Sequence, residues 1–138
     1  MSRRKGRILA FQGLYSWDIG GNPLEDVLKL DWAENEKGDQ VDDDSGAFAR
    51  MLIAGSVEHQ AEVDELIKKH LSGWTFDRVN KVSLAILRMS VYSLLYQKDM
   101  AASIVIDEAI SIAKEYGQDD SYKFINAVLD NIRKSAEN

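Results

Sequence analysis

Apolar residues recur along most of the chain at intervals of three and four, the spacing that puts them on one face of an α-helix. In residues 3–18, Ile8, Phe11 and Tyr15 share a stripe with Leu14 and Trp17 beside it, and Gly20-Gly21 marks the end. Gly6 and Gly13 weaken that helix by about 1 kcal/mol each relative to Ala, so a packing or ligand reason for them is expected. Asn22 as a cap, Pro23 at the first helical position and Glu25 predict a short second helix bearing Leu24, Val27 and Leu28. Ser45 then opens a long predicted helix with Phe48, Met51, Leu52, Val57, Val63, Leu66, Ile67 and Leu71 as its core face, stopped at Ser72-Gly73. Gly55 within it suggests close packing. Residues 74–79 read as a short turn or a single-turn helix. Residues 82–96 are apolar on nearly every face, the pattern of a helix enclosed by others. Ser103 and Ser121 are expected caps of two further helices. Val105, Ile106, Ala109, Ile110, Ala113 and Tyr116 point inward from the first, which stops at Gly117. Phe124, Ile125, Val128, Leu129 and Ile132 do so from the second. The predicted fold class is all-α, with six or seven helices.

Composition narrows the chemistry. The chain has 138 residues, 45% hydrophobic and 29% charged, the profile of a globular domain able to build its own core. It has no cysteine, which excludes disulfides, a thiol nucleophile and thiolate zinc sites. His59 and His70 are eleven residues apart, expected on one face of the long helix but too far apart to hold one metal. No apolar run approaches the ~20 residues of a membrane span. No leader-type apolar segment follows the basic start, so a cytoplasmic protein is expected. No glycine-rich phosphate loop and no nucleophile–base pair is present, so neither a catalytic residue nor a cofactor is expected.

Charge is unevenly placed. The net charge is −6, yet residues 1–7 hold four cations (Arg3, Arg4, Lys5, Arg7) and no acid. Such polarity fits contact with a polyanion; it also fits a merely solvated terminus. The acids of residues 31–44 (Asp31, Glu34, Glu36, Asp39, Asp42, Asp43, Asp44) read as a solvated loop, since they lack the alternation and turn glycine of a calcium loop. Arg88 lies mid-way along the enclosed helix and needs a partner there, with Glu108 or Asp107 the expected acids. Tyr15 and Phe124, at the edges of their stripes, are candidate platforms for base stacking, although residues so placed more often belong to the core.

The run Arg3-Arg4-Lys5-Gly6-Arg7 with Gln12-Gly13-Leu14-Tyr15-Ser16-Trp17 resembles the arginine-rich first helix of the NusB family. Ala85-Ile86-Leu87-Arg88, Tyr92-Ser93-Leu94-Leu95, the segment from Ile106 to Lys114 and the segment from Asp120 to Asp130 are similar to its later signatures, in order. The resemblance implies a compact NusB-like domain of about seven helices in two halves, residues 1–72 and 73–138 approximately. It implies a non-enzymatic RNA-binding transcription antitermination factor. Such a factor binds single-stranded boxA RNA together with NusE, a small ribosomal protein. It then joins elongating RNA polymerase with the other Nus factors, chiefly on ribosomal RNA operons. The implied RNA surface is Arg3, Arg4, Lys5, Arg7, Gln12 and Tyr15 with Asp120, Ser121, Lys123 and Phe124. The implied NusE surface is Ser83, Asp99, Met100, Ala102 and Ser103. Ala101 stands where the family usually has Pro, Ala127 where Gly is common and Asp107 where Asn is frequent. Monomer and homodimer both stay open. So do two other readings: a stand-alone relative of the RNA-binding domain of ribosomal RNA cytosine methyltransferases, and a protein-only interaction bundle.

Overall fold

The computed structural model describes residues 2–33, 41–71, 73 and 75–137. Glu34, Glu36 and Asp39 of the acidic run, and Ser72 and Trp74, lie outside the described residues. The order is α1 (Ser2–Asp18), α2 (Leu24–Lys29), a 3-10 turn (Asp31–Ala33), α3 (Asp43–Glu58), α4 (Gln60–Lys69), a second 3-10 turn (Phe76–Arg78), α5 (Lys81–Tyr96), α6 (Ala102–Tyr116) and α7 (Ser121–Glu137). There is no strand among the described residues, as the all-α expectation required.

The enclosed helix is α5, which packs against α1, α3, α4, α6 and α7. Its start is fixed by Asn80, whose Oδ1 accepts the N–H groups of Val82 and Ser83 at 3.0 and 3.2 Å. A continuous core runs through all seven helices, with Leu14, Ile53, Ile67, Ile86, Ile112 and Leu129 fully buried. The glycines of α1 have the packing reason expected of them. A Cβ at Gly6 would lie 2.8 Å from the Phe48 ring, and one at Gly13 2.7 Å from Ile53 Cδ1, so α1 and α3 approach closely only because both side chains are missing.

Several local expectations need correction. The long helix begins at Asp43, not Ser45, because Asp42 is the cap: its carboxylate accepts the Ser45 N–H at 3.0 Å. It is also two helices. The backbone leaves helical geometry at His59 (φ −103°, ψ 19°), whose ring stacks on Tyr96 with centroids 4.1 Å apart. The apolar stripe continues across this break, which is why periodicity alone does not reveal it. His59 and His70 consequently share no single helix face; each ends a helix. Asn22 does not cap α2 but donates to Ser16 Oγ at 2.5 Å. Ser103 does not cap α6, whose preceding position is Ala101, without a capping side chain. Met51, Tyr15 and Tyr116 lie outside the core, at 44%, 38% and 41% exposure.

Arg88 is buried and paired, but not with Glu108 or Asp107. Its Nε and one terminal nitrogen donate to the two oxygens of Asp64, both at 2.9 Å, and the other donates to Asp18 at 3.0 Å. Burial opposes its charge, and the carboxylates of Asp64 and Asp18 more than offset this, raising its pKa above the ordinary arginine value. This fork joins α1, α4 and α5.

Candidate nucleic-acid interface

The four N-terminal cations are not a loose arm. They occupy the first two turns of α1, where residues 100° apart face different neighbours. Arg3 and Lys5 turn toward the start of α3: the Arg3 guanidinium lies 5.1 Å from the Phe48 ring centroid, and Lys5 Nζ lies 3.6 Å from Asp42. Arg3 has no ion-pair partner among the described residues. Arg4 turns to α6, donating to Ser111 Oγ at 2.9 Å, Glu115 at 3.0 Å and Glu108 at 3.4 Å. Arg7, 4% exposed, lies inside. It donates to Glu108 at 3.3 Å and to Met100 Sδ at 3.4 Å and stacks on Phe48. Burial lowers its pKa below the ordinary value, and Glu108 works against that shift. Glu108 is therefore the shared anchor of Arg4 and Arg7.

From Arg4 a strip of polar and aromatic groups leads to the other end of the candidate site. Phe11 of α1 meets Tyr116 at the end of α6, with ring centroids 5.3 Å apart. Tyr15 lies one turn further along α1 and is exposed; Gln12 is half-buried. The short connection after Tyr116 carries Gln118, Asp119 and Asp120 to the start of α7, where Ser121 Oγ donates to the Gln118 carbonyl at 2.8 Å. There a cavity of about 280 Å³ opens between the ends of α5 and α7, lined by Arg78, Asn80, Ser83, Gln118, Asp120 and Phe124. Phe124 is half-buried, so one part of its ring packs on the core while the rest faces the cavity. Lys123 is exposed and pairs with Asp120 at 3.7 Å. The cavity sets an aromatic face beside amide, hydroxyl and carboxylate groups, the kinds of group that stack on a base and bond its edge.

The residues assigned by resemblance to NusE are less unified. Asp99 and Met100 share a surface groove with Arg3, Arg4 and Arg7. Met100 and Ala102 also edge a separate apolar groove of about 600 Å³, bounded by Leu94, Leu95 and Ile132. Ser103 is exposed. Ser83 lies near the opposite end of α5, roughly 20 Å from Tyr96 at 1.5 Å per residue, beside Asp120 and Phe124. Reading the sequence alone missed Ser111, Glu115, Tyr116, Arg78 and Gln118. The first three sit three, seven and eight residues after Glu108, a helical repeat that would have found Ser111 and Glu115 once Glu108 was paired with α1.

No helix of the described residues is long and apolar enough to cross a membrane, and no group of three or more acidic or histidine side chains among them is placed to hold a metal ion.

Comparison with known proteins adds a second, independent line. The family model described as the NusB family matches residues 4–134. The transcription antitermination protein NusB of Treponema denticola is 52% identical over 137 residues, covering 99% of this chain and 98% of that protein. The solved structure of NusB from T. maritima is 35% identical, with a TM-score of 0.82, over 96% of this chain and 90% of that one. A crystal structure of antitermination factors NusB and NusE with double-stranded RNA contains a chain 31% identical, with a TM-score of 0.84, over 97% of both chains. Sequence and fold thus agree from end to end, and the chain belongs to the NusB family of transcription antitermination factors.

Proposed function

We propose that this chain binds single-stranded boxA RNA jointly with NusE and carries that RNA to elongating RNA polymerase. There, with the other Nus factors, it opposes termination on ribosomal RNA operons in the cytoplasm. It acts by binding, not catalysis. The observation that carries the reading is the strip joining the cations of α1 to the cavity at the start of α7. One end suits phosphates, because guanidinium groups donate bidentately to them. The other end suits a base, because an aromatic face lies beside hydrogen-bonding groups. On this reading Arg3, Arg4, Lys5 and Lys123 meet the backbone, and Tyr15 and Phe124 stack. Gln12, Ser121 and Asp120 meet base edges, Asp120 accepting from an amino group. Arg7 acts from inside, holding Glu108 in place, and Arg78 adds a cation at the cavity mouth. NusE docks near Asp99, Met100, Ala102 and Ser103, next to the groove that Asp99 and Met100 share with Arg3 and Arg4, whereas Ser83 belongs to the wall of the RNA cavity.

The test is fluorescence anisotropy with a boxA strand and a scrambled strand of equal length, each with and without NusE. Tighter binding of boxA, strengthened by NusE, is the expected result. Equal binding of both strands under all conditions would leave the family fold without this function.

A further inference from the structure

The α1 arginine that faces the candidate RNA strip is already occupied by acids of its own chain. Arg4 holds Glu115 at 3.0 Å and Glu108 at 3.4 Å, and the two carboxylates are not equivalent. The Glu108 side chain is 25% exposed and also holds Arg7, so its loss would strand a buried charge. The Glu115 side chain is 53% exposed, has Arg4 as its one ion-pair partner among the described residues, and stands one turn beyond Ser111 on the outer face of α6. Exposed pairs of this kind contribute little to folding and exchange readily for another anion. A phosphodiester approaching Arg4 has the same single negative charge as Glu115 and, like it, offers oxygens that accept from a guanidinium. To reach the guanidinium it must displace that carboxylate, which then remains nearby as a repelling charge.

We propose that Glu115 is an affinity-determining residue, an internal competitor of the RNA backbone for Arg4. Glu108 and Ser111 are the fixed partners that keep Arg4 in place while the exchange occurs. This rests on the RNA-binding reading above. Arg4 is thereby held extended toward the strip at all times, and binding is weaker than its cation content alone would give. The effect is electrostatic between exposed groups, so salt screens it.

The test is RNA affinity by anisotropy for wild type, Glu115→Gln, Arg4→Gln and the double variant, at about 50 mM and about 500 mM salt. Asp107→Asn, which removes an exposed carboxylate elsewhere on α6, serves as the control for net charge. Glu115→Gln should tighten binding roughly two- to five-fold at low salt, with a smaller gain at high salt. It should do nothing in the Arg4→Gln background, and Asp107→Asn should change affinity less than the single Glu115 variant does. An equal gain in the Arg4→Gln background, or from Asp107→Asn, would overturn the proposal in favour of a general charge effect. Wild-type RNA binding with no gain from Glu115→Gln would overturn it while leaving the RNA reading intact. No RNA binding by any form, with or without NusE, would remove both.

Discussion

Arg88 shows how one buried charge organises this molecule. Its guanidinium bridges Asp64 of α4 and Asp18 at the end of α1, and both bonds to Asp64 are short and parallel. Removing Asp64 leaves a charge inside α5 with half its partners gone, at a typical cost of about 3 kcal/mol. Asp18, more exposed and singly bonded, costs less. Urea denaturation of Asp64→Ala and Asp18→Ala should therefore give a larger loss for Asp64, and equal losses would contradict the fork. The need for a partner was legible in the sequence, since a charge flanked by Leu87 and Met89 cannot stand alone. The identity of the partner was not. Asp64 is 24 residues away and its helix could be placed against α5 only once the break at His59 was known. Glu108, the expected partner, is instead claimed by two arginines from the first turns of α1.

At the scale of elements, helix existence followed from apolar periodicity, while starts and breaks followed from side chains that periodicity does not weigh. Asp42 belongs to a run that reads as a solvated loop, yet its carboxylate caps α3. The hydrogen bonds from Ser45 hold its pKa below the ordinary aspartate value. The folded state therefore binds the proton less readily than the unfolded one. The contribution of this cap is complete above the unfolded pKa of about 3.9 and is lost as pH falls through the lower folded value. The denaturation midpoint of wild type should fall faster below pH 4 than that of Asp42→Ala, and parallel curves would count against the cap. Ala101 offers an opposite case. Its backbone, at φ −63° and ψ 133°, already matches what proline imposes, and its N–H makes no backbone hydrogen bond among the described residues. Ala101→Pro should stabilise the fold by about 0.5–1 kcal/mol through the unfolded state, measured by the same denaturation. A loss of stability would show that the turn before α6 needs more freedom than its geometry suggests.

Over the whole molecule, the chain carries a net charge of −6 and still presents a basic face, because its first seven residues hold four cations and no acid. That asymmetry was plain in the sequence. What could not be read there is how much of the face is answered from within. Burial of Arg7, the two acids on Arg4 and the pairing of Lys5 all depend on which elements lie against α1, while Lys123 is paired locally with Asp120. The aromatic end was legible only in part: Phe124 belongs both to the core stripe and to the cavity wall, and one period cannot separate the two.

The central claim is that RNA is held through this basic face, and the salt dependence of binding tests it most directly. Arg3, Arg4, Lys5 and Lys123 are the cations assigned to the RNA backbone. Four phosphate contacts on a single strand predict a log–log slope of affinity against salt of roughly −3. Anisotropy titrations of boxA RNA with NusE present, repeated across salt concentrations, should give about that slope, made shallower by about 0.7 in Arg3→Gln. A slope near zero, unchanged in that variant, would contradict the account.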